Sequence, residues 1–242
     1  MNYSPMDAQA PPTDRHSTLA TTIDELDQHA RLHHENTAPA REKRQAAGAL
    51  RAQCTLAEVK WLVAHPSPNA RELAAQLAPE LAVSHRPVVM ELLCRLADDS
   101  NWEVREWAAE GIATALDGLV AATRRAELAK LLGDTNPCLL RAGIVASGYL
   151  AARLTCEEAR TLLTLLFDHD RERDPYVRKN LFPFAIGSYF VPVHPECVIA
   201  TVKERLPTAD PNQTASWRLI LKAKAAQSLP ELRVLLDNAE HH

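Results

Sequence analysis

The chain has 242 residues, a formal net charge of -4 and a composition in which 46% of the residues are hydrophobic. Its length is sufficient for one large domain with a substantial core. The small negative charge argues against a protein that coats nucleic acid by bulk electrostatics, although a local basic face is compatible with it. The hydrophobic residues are mainly Ala and Leu, with seven Gly and four each of Trp, Tyr and Phe. This balance favours helices over strands.

The amino-terminal segment is polar, contains proline and lacks the apolar core of a signal peptide. We therefore expect a disordered tail over residues 1–16 and a single helical domain over residues 17–242. No apolar run approaches the roughly 20 residues that cross a bilayer, so no membrane partner is expected. Widely spaced cysteines without a C-x-x-C pair are typical of buried thiols in a reducing, cytoplasmic environment. They are Cys54, Cys94, Cys138, Cys156 and Cys197.

The first predicted elements are two helices, over residues 18–33 and 39–53, that would cap the amino-terminal end of the structure. From residue 55 onward, helices with apolar residues at three- and four-residue steps alternate with segments that begin in a Pro/Asn/Asp/Ser turn. Val88, Leu92 and Leu96 show this spacing. The first helix of each pair is predicted at residues 55–64, 87–97, 124–132, 156–167 and 195–206.

Each turn leads into a second helix that carries an arginine near its start and an Ala-rich apolar run behind it. Successive arginines lie 34, 36, 37 and 40 residues apart, which is the length of a two-helix unit of the HEAT or armadillo type. The sequence therefore predicts an all-α fold, a right-handed superhelical solenoid of HEAT-like two-helix repeats. An irregular helical bundle is the alternative. The arginines are Arg71, Arg105, Arg141, Arg178 and Arg218.

The repeated arginine has two interpretations. It can bond to acidic side chains or backbone carbonyls of the neighbouring repeat, or it can line a concave face and contact phosphates. Asp98, Asp99, Asp134 and Asp174 are candidate acidic partners.

Net charge changes sign along the second helices. Residues 66–82 and 100–117 together carry a net charge of -4, whereas residues 137–153, 174–190 and 211–228 carry +6. The second helices would line the concave wall of the solenoid, and this wall is basic toward its carboxyl-terminal half. Such a surface suits a nucleic-acid backbone, and it suits an acidic protein partner equally.

Three stretches are more specific than the repeat period. They are DDSNWEVREWAAEGI at residues 98–112, LLRAGIVAS at 139–147 and DPYVRKNLFPFAIGSYFVPVHPECVIATVKERL at 174–206. They resemble the DNA alkylation repair superfamily, the HEAT-like alkylpurine DNA glycosylases of the AlkC and AlkD type, over roughly residues 55–225. The resemblance implies a chain that binds duplex DNA and releases cationic alkylated purines as a DNA N-glycosylase. We also expect a monomer that uses no cofactor.

The resemblance also implies a site. In the AlkD branch a Trp is followed four residues later by a catalytic Asp, and an Arg follows one repeat further on. Trp102, Glu106 and Arg141 stand at those positions, with Glu in place of Asp. Trp102 would offer an aromatic face to the cationic base, Glu106 a carboxylate beside the oxocarbenium-like sugar, and Arg141 a contact to the flanking phosphate.

The other predicted DNA-binding residues come from the basic half of the wall and from the NLFPF segment, which stands where the family has a further groove aromatic. They are Arg178, Lys179, Phe182, Arg218, Lys222 and Lys224, and Phe184 belongs to the same segment.

Each site residue also has a structural interpretation. Trp102 and Trp107 can be packing anchors between repeats, and Glu106 can pair with Arg105 or Arg141. For the whole chain, the alternative is a non-catalytic HEAT-repeat scaffold that binds a protein or nucleic-acid partner.

Other chemistry finds little support in the sequence. The histidines at 33, 34, 169 and 194 lack the Cys or carboxylate spacing typical of zinc sites, so no metal site is predicted. The motifs G-x-x-x-x-G-K, G-x-G-x-x-G and G-x-S-x-G are absent, which argues against nucleotide hydrolysis, dinucleotide binding and serine hydrolase activity.

Overall fold

The computed structural model describes residues 13–32 and 37–238. Within these ranges the regular elements are all helices, and no strand occurs, which confirms the predicted all-α class. The chain divides into two compact units, Met1–Ala115 and Leu116–His242. The single domain over residues 17–242 stays a prediction.

Residues 13–32 and 37–115 of the first unit form six helices and two short 3₁₀ turns. The 3₁₀ turns Arg51–Gln53 and Ala78–Leu81 directly follow the second and fourth helices. The last residues of the sixth helix extend into the second unit. The helices are α1 (Thr13–Leu32), α2 (Ala40–Leu50), α3 (Leu56–Val63), α4 (Pro68–Leu77), α5 (Ala82–Ala97) and α6 (Trp102–Asp117).

Two boundaries of the first unit differ from the predictions. Helix α1 begins at Thr13 and not at residue 18, so the last four residues of the predicted tail are helical, while residues 1–12 lie outside the described residues. Helix α5 begins five residues before the predicted start at Pro87 and has a kink at His85, where φ is -133° and ψ is 29°. Pro87 explains the kink, because a proline inside a helix disrupts the backbone of the preceding turn.

The second unit begins in regular hairpins and becomes less regular toward its carboxyl end. Its α-helices are α7 (Ala121–Leu132), α8 (Pro137–Leu150), α9 (Cys156–Phe167), α10 (Pro175–Lys179), α11 (Val191–Val193), α12 (Pro195–Arg205), α13 (Pro211–Trp217), α14 (Lys224–Gln227) and α15 (Pro230–Asn238). A π-helix, Asn180–Phe190, joins α10 to α11, and 3₁₀ turns lie at Ala151–Arg153, Leu206–Thr208 and Arg218–Lys222.

The predicted second helices of the last two repeats are therefore broken into pieces. Pro183 lies inside the π-helix. It has no N–H to donate and its ring opposes the carbonyl four residues earlier, so the α-helical hydrogen-bond ladder cannot run through it unchanged. The widened π segment accommodates this proline.

A recurrent hydrogen-bonding pattern explains the Asp/Asn-rich turns. At three turns, the residue that caps the second helix donates its backbone N–H to an acidic side chain two residues earlier. The capping side chain then accepts a backbone N–H from the first helical turn, as Ser, Thr, Asp and Asn do at helix starts. The pairs are Asn101 with Asp99 at 2.8 Å, Asn136 with Asp134 at 2.8 Å, and Asp174 with Glu172 at 2.9 Å.

Each unit has its own apolar core. In the first unit, fully buried side chains of α3, α4, α5 and α6 include Leu62, Leu73, Leu93 and Ile112. In the second, the ring of Phe167 lies between Phe182 and Trp217, with centroid distances of 6.1 Å and 5.5 Å. None of the described helices combines the length and the apolar character needed to cross a membrane.

Candidate nucleic-acid interface

Trp102 and Glu106 lie on the first two turns of α6. Asn101 caps this helix, because its Oδ1 accepts the backbone N–H of Glu103 at 2.8 Å. Trp102 follows the cap and is 59% exposed. Glu106 is half-buried and lies on the same helix face, since residues four apart are neighbours on a helix. Among the Trp, Tyr and Phe side chains that the structure describes, Trp102 is the only exposed one.

Trp107, which follows Glu106, packs inside the structure, as the structural interpretation of the two tryptophans Trp102 and Trp107 expects. It is 9% exposed, and the Arg44 guanidinium and the Lys43 ammonium lie 4.9 Å and 5.9 Å from its ring centroid. Cations over an indole face are favourable contacts. A cavity of about 280 Å³ beside Trp107 is also lined by Arg44, Arg51 and Glu110. The surface on this side of the first unit therefore has mixed charge.

A buried polar network lies close to the start of α6. Lys43 forms an ion pair with Glu72, and it also donates to Thr37 Oγ1 at 3.0 Å. The Thr37 hydroxyl in turn bonds to Glu103. Glu72 has no exposed surface, and burial raises its pKa to about 7 despite the neighbouring ammonium of Lys43, with a further contribution from Glu103.

In the first unit the repeated arginines bond to the turns. Arg71 makes a bidentate ion pair with Asp99 of the next repeat, at 2.6 Å and 3.1 Å, and its Nη1 donates to the carbonyl of Pro66 at 2.7 Å. Arg105 Nη1 donates to the carbonyls of Asp99 and Ser100 at 2.7 Å and 3.0 Å. These contacts support the structural interpretation of the two arginines.

The arginines of the second unit contact side chains of the helices that follow them. Arg141 is only 4% exposed, and its guanidinium lies 5.1 Å from the ring centroid of Tyr176 in the next repeat. Arg178 Nη2 donates to Ser216 Oγ at 3.1 Å, and Arg218 Nη2 lies 3.5 Å from Asp237 Oδ1. A phosphate contact by Arg141 therefore stays a prediction that requires this side chain to move.

The remaining predicted DNA-binding residues fall into two classes. Lys179, Lys222 and Lys224 are exposed, and none of them takes part in an ion pair with another described residue. Phe182 has no exposed surface and packs on Phe167. The structure thus places Phe182 in the core rather than at a surface, because its ring is covered by packing contacts that include Phe167.

An aromatic cluster that the sequence analysis does not single out lies near this segment. The ring of Tyr189 is 5.0 Å from Phe184 and 5.2 Å from Tyr149. All three side chains are partly exposed. Two of them belong to the π-helix and the third to α8, so only the folded chain brings them together. Of the two phenylalanines in NLFPF, Phe184 is therefore the one that solvent reaches.

The cysteines differ from their prediction. All five are free, but four are half-buried and Cys156 is exposed, so none is a fully buried core residue. Cys156 and Cys197 also lie close to His194, with one ligand atom of each residue within 4.8 Å of the others.

The other histidines named in the sequence analysis are not part of this cluster. His33 and His34 lie outside the described residues. His169 is half-buried, and burial lowers the pKa of its side chain.

Trp102 and Glu106 belong to the first unit, whereas Arg141 belongs to the second.

Comparisons with known proteins agree with this fold. The HEAT repeat family matches residues 89–119, which contain most of α5 and α6. The solved structure of AlkD2 from Streptococcus mutans has a TM-score of 0.63 and 16% sequence identity, and the match covers 76% of this chain and 89% of that one. A second structure, smu.31 from Streptococcus mutans UA159, has a TM-score of 0.65 and 16% identity, and covers 84% and 98%. No curated protein matches the sequence significantly.

These likenesses confirm the repeat solenoid and, at the level of the fold, the resemblance to AlkD-type proteins.

Proposed function

We propose that this chain is a DNA-binding HEAT-like protein of the alkylation-repair type, and that Trp102 and Glu106 form its site for a cationic alkylated purine. The observation that carries the proposal is the exposure of Trp102, at 59%, next to a half-buried carboxylate on the same helix face. Large aromatic side chains usually pack inside, as Trp107 and Trp217 do here. An exposed indole at the start of a helix is available to a ligand.

The chemistry of the substrate suits these two side chains. An alkylated purine carries positive charge, which makes the base a good leaving group and favours contact with an indole face. As the glycosidic bond breaks, positive charge develops on the sugar, and a fixed carboxylate stabilises that charge. Glu106 supplies such a carboxylate. Relative to Asp, its extra methylene moves the oxygens by about the length of a C–C bond, so the position of α6 decides whether they reach the sugar.

Exposed lysines support the DNA-binding part of the proposal. Lys179, Lys222 and Lys224 lie on the segments that follow the turns of the last two repeats, and they have no acidic partner among the described residues. Unpaired surface cations release counterions from DNA when they contact phosphates. The repeat arginines contribute less than their number suggests, because several are engaged with neighbouring repeats.

Binding is tested by fluorescence anisotropy of a labelled duplex, titrated with the full chain at low and at physiological salt. We expect binding of any duplex sequence, with an affinity that falls steeply as salt rises. If the chain does not bind the duplex at low salt, the scaffold alternative is favoured, in which an acidic protein binds the basic surface.

Catalysis is tested by the release of a cationic alkylated purine from duplex DNA. We expect the wild-type chain to accelerate release, Glu106→Gln to abolish it while binding is retained, and Trp102→Ala to impair it by removing the aromatic partner of the cation. Removal of the charge at a stabilising carboxylate costs on the order of a hundredfold or more in rate.

Glu110→Gln is the matched control, because it changes the same residue type one turn further along α6, where Glu110 is partly exposed beside Arg44. This variant should release the base at the wild-type rate. If the wild-type chain releases bases only at the uncatalysed rate, or if both glutamate variants lose the same activity, Glu106 has no catalytic role and a DNA-binding scaffold is the better account.

A further inference from the structure

Three side chains with metal-ligand chemistry meet where α9 and α12 begin. Cys156 is the first residue of α9, His194 immediately precedes α12, and Cys197 is in its first turn. One ligand atom from each lies within 4.8 Å of the other two. We infer that these residues form a binding site for a thiolate-preferring divalent metal ion, of which Zn²⁺ is the expected occupant.

The hydrogen bonding of His194 fits a metal ligand. Its side chain is buried, and Nε2 lies 2.9 Å from the carbonyl oxygen of Ala151. A carbonyl oxygen only accepts, so Nε2 carries the hydrogen and the lone pair of the neutral ring is on Nδ1. Metal-bound histidines characteristically donate their other ring N–H to a carbonyl or carboxylate, which fixes the tautomer and the orientation of the ring. The carbonyl oxygen of Ala151 already accepts this hydrogen bond from His194 when no metal is bound.

The local structure also favours the two sulfurs as ligands. His194 and Cys197 are three residues apart at a helix start, a spacing that places side chains on the same side. Both cysteines lie in the first turn of their helices, α9 and α12, which have 12 and 11 residues. Cys156 is exposed, so an ion can enter from solvent.

Ligand identity narrows the choice of metal. Two thiolates and one imidazole are the ligands that Zn²⁺ takes in tetrahedral sites, whereas Mg²⁺ and Ca²⁺ prefer oxygen ligands. Three protein ligands leave the fourth position for water.

Occupancy of the site would link neighbouring repeats. Helices α9 and α12 are the first helices of successive pairs and pack against each other. A metal ion held by both would oppose their separation and would stabilise the folded chain in proportion to its binding. This role is independent of DNA binding and of Trp102 and Glu106.

The test is a titration of the reduced full chain with Co²⁺ alone, followed by absorbance. Co²⁺ bound to thiolates gives an intense near-ultraviolet charge-transfer band that Co²⁺ bound only to histidine lacks. We expect the band to saturate at one equivalent and to disappear when Zn²⁺ is added. Cys156→Ser and Cys197→Ser should each weaken binding by at least about tenfold.

Cys54→Ser provides the matched control. Cys54 is half-buried like Cys197, and its Sγ lies 3.7 Å from a backbone carbonyl, compared with 3.6 Å for Cys197. This variant should bind Co²⁺ as the wild type does. The inference is overturned if the reduced chain shows no thiolate band, if Cys54→Ser loses the band equally, or if Cys156→Ser and Cys197→Ser retain it. A chain isolated with a Cys156–Cys197 disulfide that binds no Co²⁺ after reduction would also overturn it.

Discussion

At the scale of single residues, side chains of one type have different surroundings within a few positions. Trp102 and Trp107 are five residues apart on α6, yet the first is 59% exposed and the second 9%. Their spacing is more than one turn, which places them on different faces. Lysines in different parts of the chain also differ, since Lys222 is exposed and Lys43 is buried in an ion pair. Residue type alone therefore does not assign a functional role.

Glu72 is a residue whose ionisation we expect to affect stability. Its pKa is raised to about 7 in the folded chain, above its ordinary value of 4.5, so between these values the folded state binds more protons than the unfolded state. The free energy of unfolding must then decrease as the pH rises through this interval, by at most about 1.4 kcal/mol per pH unit.

Urea unfolding of the wild type and of Glu72→Gln at pH 5, 6, 7 and 8 measures this effect. We expect the variant to lose most of the decrease. Glu91→Gln is the control, since Glu91 is exposed on α5, and it should keep the wild-type pH dependence. A wild-type stability that is flat or rising over this range would contradict the raised pKa.

At the scale of helices, glycines allow the backbones of neighbouring helices to approach closely, because glycine has no side chain. A Cβ added to Gly111 of α6 would lie 2.6 Å from the carbonyl oxygen of Ala75 in α4 and 2.8 Å from Leu93 Cδ2 in α5. Contacts this short require a backbone to shift. Gly111 therefore sets how closely α6 packs on the preceding repeat.

Gly111→Ala should consequently destabilise the chain, by about 1–3 kcal/mol, because overpacking a filled core forces its neighbours apart. Gly48→Ala is a matched comparison, since Gly48 lies inside α2 and an added Cβ there meets nothing within 4 Å. This second variant should be neutral or more stable by up to about 1 kcal/mol, as alanine favours the helix. Thermal unfolding of both variants measures the difference, and equal effects would disprove the packing argument.

At the scale of the whole molecule, the net charge counted from the sequence differs from the charge that is exposed and free to contact a partner. The last three second-helix segments carry a net charge of +6 in the sequence. In the structure Arg141 is nearly covered, and Arg178 and Arg218 contact residues of the following segments. The cations left for a partner are mainly lysines. In the proposed DNA complex these lysines would contact phosphates, and phosphate contacts do not read the base sequence.

Neutralising Lys222 and Lys224 together should therefore weaken binding to any duplex. Each lost phosphate contact reduces the slope of log affinity against log salt by about 0.9, so the double alanine variant should show a slope smaller by about 1.8. Lys130 and Lys203 provide a control with the same change of net charge, because both are paired with glutamates, at 3.0 Å and 2.6 Å. An equal reduction in both double variants would mean that net charge alone governs binding.

Much of the fold could be predicted from the sequence because its determinants are local. The 3.6-residue periodicity, the proline and Asp/Asn turns and the repeated arginine each act over a few residues, and they predicted the alternation of helices and the repeat length. Helix α9 matches its predicted bounds, residues 156–167. The position of Trp102 four residues before Glu106 is likewise a property of one helix.

Contacts between distant residues were decided only by the tertiary structure. Cys156 and Cys197 are 41 positions apart in the chain, and no spacing rule links them, yet the packing of α9 on α12 brings Cys156 to His194 and Cys197. The burial of Phe182 depends in the same way on a distant residue, because its ring packs on Phe167 of α9. Local patterns specify the dihedral angles and periodicity of a helix, whereas burial and ligand geometry depend on which neighbours each face meets.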